Sequence, residues 1–131
     1  MTAHRYDLVV IGSGPAGQKG AIAAAKLNRR VAIIDRKAMI GGVCLHTGTI
    51  PSKTLREAIL YLTGLRQRAF YGEDYKLKQE ISIADLATRV ESVRTREKAI
   101  INQQLSRNGV ETLNGAAKFR DPSTLEVDAD G

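Results

Sequence analysis

A glycine cluster set between two apolar runs constrains this chain most. Residues Tyr6 to Ile11 read Tyr-Asp-Leu-Val-Val-Ile. Four successive apolar residues, three of them β-branched, predict a strand buried on both faces. Gly12-Ser13-Gly14-Pro15-Ala16-Gly17 follows, in the pattern G-x-G-x-x-G. Gln18 to Leu27 is rich in alanine and favours helix. Pro15 suits the first helical turn, where its missing N–H costs nothing, and Arg29-Arg30 are expected to end the helix with positive charge at its negative pole. Val31-Ala32-Ile33-Ile34-Asp35 predicts a second buried strand that closes on an acid.

The glycine pattern alone describes any tight turn. Between a strand and a helix, with an acid at the end of the next strand, it predicts a dinucleotide site. Gly12 serves the turn, Gly14 lets a pyrophosphate approach the backbone, and Gly17 lets the helix pack close to the strand. The helix start, Ala16 with it, offers free N–H groups and partial positive charge to phosphates. Asp35 lies 18 positions after Gly17, near the expected spacing, and can accept hydrogen bonds from a ribose diol. A carboxylate there repels a 2′-phosphate, which disfavours NADP in this site, although Arg36 beside it weakens that argument. FAD and NAD both remain open on spacing alone. The alternative is the same unit with nothing bound.

Downstream, Pro51 marks a helix start, and Ser52 to about Arg68 reads as a helix with Leu55, Ala58, Ile59, Leu62 and Leu65 on its apolar face. Residues 71–79 read as a surface loop. Ile81 to about Arg107 is the longest helical pattern, with Ile83, Leu86, Val90, Val93, Ile100 and Leu105 at three-to-four spacing. Ser82 and Asp85 form a candidate capping box. An amphipathic helix with one face on a core is preferred to half a coiled coil. Val110 to Leu113, Gly115 to Phe119 and Thr124 to Val127 read as strands, the last two an antiparallel pair. The fold class is therefore α/β, a Rossmann-like domain with a parallel sheet, helices and a small antiparallel β meander.

Composition narrows the function classes. The chain has 131 residues, room for one ordinary domain, and its 43% hydrophobic and 26% charged content is globular. No apolar run reaches membrane-spanning length, and the N-terminus lacks a secretory pattern. One cysteine forms no internal disulfide and suits a reducing cytoplasm. The net charge of +6 is spread, with only short basic doublets and no basic run interleaved with aromatics. No nucleic-acid partner, membrane association or metal is expected. The excess suits a solvated surface or a phosphate-rich cofactor.

The stretch Gly41-Gly42-Val43-Cys44-Leu45-His46-Thr47-Gly48-Thr49-Ile50-Pro51-Ser52-Lys53 carries more information. Gly-Gly-x-Cys, four residues, one further position and then Ile-Pro-Ser-Lys resembles the signature of the flavin-linked disulfide reductases, among them dihydrolipoamide dehydrogenase, glutathione reductase and mercuric reductase. Those enzymes carry a second cysteine where this chain has Thr49. Disulfide exchange needs two sulfurs, and Cys44 is the sole cysteine. Threonine at this place, with the run on through Thr54-Leu55-Arg56-Glu57-Ala58, resembles the FAD-dependent pyridine nucleotide transhydrogenase branch.

The resemblance implies FAD as cofactor and NAD(P)(H) as substrates, with hydride passing between NADPH and NAD⁺ by way of the flavin. It places Gly41 and Gly42 where the backbone approaches FAD, Val43 and Cys44 beside the isoalloxazine, and Lys53 near flavin N5. Ala117 belongs to a run, Gly115 to Phe119, similar to the family's adenine-side strand. Cys44 and Thr49 occupy the redox-disulfide positions, and no catalytic residue is assigned. The plainer readings are a solvated Lys53 and a Cys44 that acts as a small apolar residue. Subunits of this family add an NAD(P)-binding domain and a dimerisation domain. Residues 1–131 are therefore expected to be the N-terminal part of an FAD-binding domain. By itself this part would be inactive. At full length it would belong to a cytoplasmic homodimer or larger homo-oligomer. The alternatives are a dihydrolipoamide dehydrogenase relative without its dithiol, and a non-catalytic nucleotide-binding module.

Overall fold

The computed structural model describes residues 4–36, 39–64, 70, 72 and 80–129. Strand β1 (Leu8–Ile11), helix α1 (Pro15–Lys26) and strand β2 (Val31–Asp35) form the expected βαβ unit. The two strands pair in parallel from Leu8 with Val31 to Ile11 with Ile34. Strand β3 (Glu111–Asn114) pairs in parallel with the other side of β2, ending with Asp35 opposite Asn114. The sheet order is β1-β2-β3, so β2 is central.

Position in the sheet sets burial. Val31 to Ile34 are 2% exposed or less. Strand β1 pairs with β2 alone among the described residues, and its end residues Leu8 and Ile11 are 38% and 52% exposed. The expectation that β1 is buried on both faces is thus corrected: an apolar run reports strand propensity, not the number of neighbours the strand will have.

Helix α1 opens at Pro15 in the first-turn position, with Gly14 extended as its N-cap. It stops at Lys26, before Arg29-Arg30, because Asn28 adopts a left-handed φ of 58°, a conformation asparagine tolerates better than most residues. The basic residue of its last turn is therefore Lys26 rather than the arginine pair. Arg30 instead uses its backbone, donating N–H to the Asp7 carboxylate at 2.7 Å.

Two further helices follow β2. Helix α2 (Gly42–His46) was not expected from the sequence, and α3 (Thr49–Leu62) starts three residues before the predicted Ser52. Pro51 thus sits inside the first turn of α3, where its missing N–H breaks no helical bond. No residue of α3 is fully buried, and its predicted apolar residues Leu55 and Ile59 remain exposed. The predicted continuation of this helix past Gly64, Leu65 included, and the surface loop at 71–79, apart from Gly72, lie outside the described residues.

Helix α4 (Ile83–Arg107) packs against α3 and the sheet. Its capping box is complete: Asp85 N–H donates to Ser82 Oγ at 3.2 Å, and Ser82 N–H donates to Asp85 Oδ2 at 2.9 Å. Leu105 is buried while Ile83, predicted on the same stripe, is 86% exposed, so only the C-terminal part of the helix reaches the core. That core joins Ala21 of α1, Val31 and Ile33 of β2, Leu105 of α4, and Val110. Both helices therefore cover one face of the sheet.

Strands β4 (Ala116–Asp121) and β5 (Thr124–Asp128) form a separate antiparallel hairpin. It is the small antiparallel element expected beside the parallel sheet. Gly115 N–H donates to the Asp35 carbonyl at 3.0 Å and ties the entry to β4 to the end of β2. No helix among the described residues is long and apolar enough to cross a membrane.

Candidate functional site

Three segments meet at the C-terminal ends of β1 and β2: the 12–17 loop, Asp35-Arg36, and the turn into α2. Such sheet ends are where open α/β folds bind ligands. The loop is held from below by Gly12 N–H, which donates to the Ile34 carbonyl at 2.7 Å. Gly17 packs against the same turn. A Cβ there would run into the Gly12 carbonyl oxygen and lie 3.1 Å from Val10 Cγ1. The second close approach is between the two glycine segments. Gly42 has φ 63°, and a Cβ on it would lie 2.9 Å from Gly14 Cα. The Gly41-Gly42 pair thus lets the start of α2 press onto the glycine loop.

Ser13 lies at the centre of this junction and is fully buried. Its N–H donates to Asp35 Oδ2 at 2.7 Å, and its hydroxyl makes a short hydrogen bond to the same oxygen. Gly41 N–H donates to Ser13 Oγ at 2.9 Å. Buried Gln18 donates from Nε2 to the Ser13 carbonyl at 2.6 Å, which anchors the loop to α1. Asp35 Oδ1 accepts from the Arg36 N–H at 2.8 Å, while the Arg36 side chain is exposed. Neither Ser13 nor Gln18 was singled out from the sequence. The motif treats position 13 as variable, and only the presence of a hydroxyl between two glycines pointed to it.

The start of α1 is open on the Gly14 side. A Cβ built on Gly14 meets nothing within 4 Å, so this residue faces open space. The N-cap of α1 is Gly14, which has no side chain to cap it, and among the described residues no side chain is bonded to the Ala16 or Gly17 N–H. A helix start of this kind attracts anions. The half-buried Asp35 supplies the acceptor expected for a ribose.

The Gly41–Lys53 stretch is a helix–turn–helix. His46 Nε2 is 2.9 Å from the Ile40 carbonyl. Thr47 and Gly48 both donate N–H to the Val43 carbonyl, at 3.0 and 2.7 Å, closing α2 before α3 begins. Val43 is 65% exposed, beside half-buried Cys44. Thr49 is the exposed first residue of α3, and Lys53 is exposed one turn later. Ser52 Oγ donates within that turn, to the Gly48 and Thr49 carbonyls at 3.2 and 3.1 Å. Beneath this stretch, a cavity of about 170 Å³ is lined by Gln18, Gly41, Cys44, Leu45 and residues of α4. The structure therefore gathers Gly12, Gly14, Gly17, Asp35, Gly41 and Gly42 directly. Ala117 lies in β4, opposite Val127, two residues past the Gly115 contact to Asp35.

Comparison with known proteins gives the family. Residues 6–130 match the model of the family described as pyridine nucleotide-disulphide oxidoreductase. A soluble pyridine nucleotide transhydrogenase of Mycobacterium tuberculosis is 55% identical over 123 residues, covering 94% of this chain and 26% of that protein. One from Marinobacter nauticus is 39% identical over 127 residues, covering 97% of this chain and 27% of the relative. Among solved structures, the Cu(II) complex of the HOCl-induced flavoprotein disulfide reductase RclA from Escherichia coli superposes with TM-score 0.76 at 26% identity, over 96% of this chain and 25% of that one. The chain spans about a quarter of the length of the curated relatives it matches. It belongs to the pyridine nucleotide-disulphide oxidoreductase family, with the Rossmann-like FAD-binding fold of the flavoprotein disulfide reductases and a sequence similar to soluble pyridine nucleotide transhydrogenases.

Proposed function

We propose that this chain supplies the FAD-binding part of a soluble pyridine nucleotide transhydrogenase, which exchanges hydride between NADPH and NAD⁺ without a redox disulfide. One observation carries the reading. In a stretch otherwise matching the disulfide reductases, the second sulfur position is Thr49, and Cys44 is the sole cysteine of the sequence. A dithiol cannot form within the chain, so the reaction that needs one is removed.

FAD, when bound, supplies reversible two-electron chemistry with nicotinamides. The chain's own residues bind and orient it. Gly14 and the uncapped start of α1 would receive the diphosphate, and Asp35 a ribose hydroxyl. Val43 and Cys44 would border the ring system, with Cys44 acting as a contact and not a nucleophile. The Lys53 ammonium would favour negative charge gathering on a reduced ring. Ala117 would flank the adenine side. The nicotinamide substrates, an NAD(P)-binding domain, a homo-oligomeric assembly and a cytoplasmic location belong to the same proposal for the intact protein. Residues 1–131 alone are expected not to turn over.

The test is a purification and two assays on the intact protein. It should be yellow, release FAD on denaturation, pass hydride from NADPH to NAD⁺, and leave lipoamide unreduced. A colourless protein that takes up no FAD would remove the cofactor assignment. Lipoamide turnover would move the protein to the dihydrolipoamide dehydrogenase reading.

A further inference from the structure

The Ser13 hydroxyl stands where the ribose acceptor and the Gly41 turn meet. A carboxylate has about four lone-pair sites. Among the described residues, Asp35 already receives Ser13 N–H and Ser13 Oγ–H on Oδ2, and Arg36 N–H on Oδ1. One site, on Oδ1, is left. The same Ser13 oxygen accepts the buried Gly41 N–H at 2.9 Å, and the Met39 carbonyl at 3.4 Å is a longer alternative for its proton. One hydroxyl therefore fixes the plane of the Asp35 carboxylate and the start of the Gly41-Gly42 turn together.

We infer that Ser13 is a positioning residue for the dinucleotide: by clasping Oδ2 of Asp35, it holds Oδ1 ready for a single ribose hydroxyl. The inference rests on the FAD assignment above. Aspartate has a short side chain. Clasped to the loop, it reads one hydroxyl of the ribose diol, and it loses its fixed orientation when the Ser13 hydroxyl is removed. Gly41 N–H loses its acceptor in the same step. The segment carrying Val43 and Cys44 is thereby coupled to the nucleotide end.

The experiment titrates flavin-stripped intact protein with FAD and reads absorbance. Ser13→Ala should weaken FAD binding by about tenfold, the scale of one charge-assisted hydrogen bond. Ser13→Cys keeps the volume with a much weaker donor and should do the same, giving the reading if the alanine variant does not fold. The deciding comparison is a double-mutant cycle. In the Asp35→Ala background, Ser13→Ala should cost clearly less than in wild-type, because the part of its effect that passes through the carboxylate is already gone and only the Gly41 contact remains to be lost. A full additive loss would overturn the inference, since a purely structural serine costs the same in both backgrounds. Unchanged binding in both Ser13 variants would also overturn it. If wild-type binds FAD and Asp35→Ala binds equally well, the inference falls while the flavin assignment stands. If wild-type binds no FAD, the assignment falls and the inference with it.

Discussion

Gly17→Ala tests how the glycine loop is built. A Cβ at this position overlaps the Gly12 carbonyl oxygen and sits 3.1 Å from Val10 Cγ1. The valine methyl can rotate away. The carbonyl cannot, because it shares a peptide plane with the Ser13 N–H, which is held by Asp35 Oδ2 at 2.7 Å. Helix α1 must therefore shift off the sheet. Forced overpacking of this kind costs up to about 3 kcal/mol, and the better helix propensity of alanine returns about 1 kcal/mol, for a net loss of about 2 kcal/mol. That lowers the midpoint of thermal unfolding by a few degrees. The same helix holds its own control. A Cβ on exposed Gly20 meets nothing within 4 Å, so Gly20→Ala should be neutral or stabilising by about 0.5–1 kcal/mol. Parallel melts of the two variants followed by circular dichroism read the difference. Equal midpoints would refute the argument that the helix start is held by a glycine-only contact.

Ser82→Ala removes the hydroxyl that accepts the Asp85 N–H, leaving only the bond from the residue 82 backbone to Asp85, and should destabilise by about 1 kcal/mol, read by urea unfolding, whereas a neutral result would mean that α4 is held by packing alone. Leu105→Ala opens a cavity beside Ala21, Ile33 and Val110 and should cost about 2–5 kcal/mol; a loss under 1 kcal/mol would show that the α4 face of the core is loosely packed. The Asp121 carboxyl is held below the usual carboxylate range by hydrogen bonds from the Thr124 hydroxyl and the Ser123 backbone. A depressed carboxyl stabilises the fold above its unfolded pKa, and the contribution is lost as pH falls through the folded one. The melting difference between wild-type and Asp121→Ala should therefore be present above about pH 4 and shrink below it, and a difference that grows in acid would contradict the hydrogen-bond origin.

The βαβ unit was legible because each of its parts carries a local signal: apolar runs for the strands, Pro15 for the helix start and an acid at the end of β2. The capping box at Ser82 was legible for the same reason. What failed depended on neighbours. Strand β1 reads like β2, but among the described residues it has one partner strand where β2 has two. Helix α2 has five residues and begins at a glycine, too short to show a period. In α3, the proline near the start was legible, but the helix begins at Thr49, three residues before the predicted Ser52. The glycines of the site were visible through the motif. The Ser13 clasp was not, since it joins residues 13, 35 and 41, and only the folded sheet ends bring those together.

The central claim is that the flavin site works without sulfur exchange, and Cys44→Ser tests it most directly. In the intact protein, this variant should keep its FAD and retain NADPH-to-NAD⁺ hydride exchange within about threefold of wild-type, the effect of changing one ring contact by less than 1 kcal/mol. Loss of exchange by two orders of magnitude or more, with FAD still bound, would show that the Cys44 thiol takes part in the chemistry and would contradict the account.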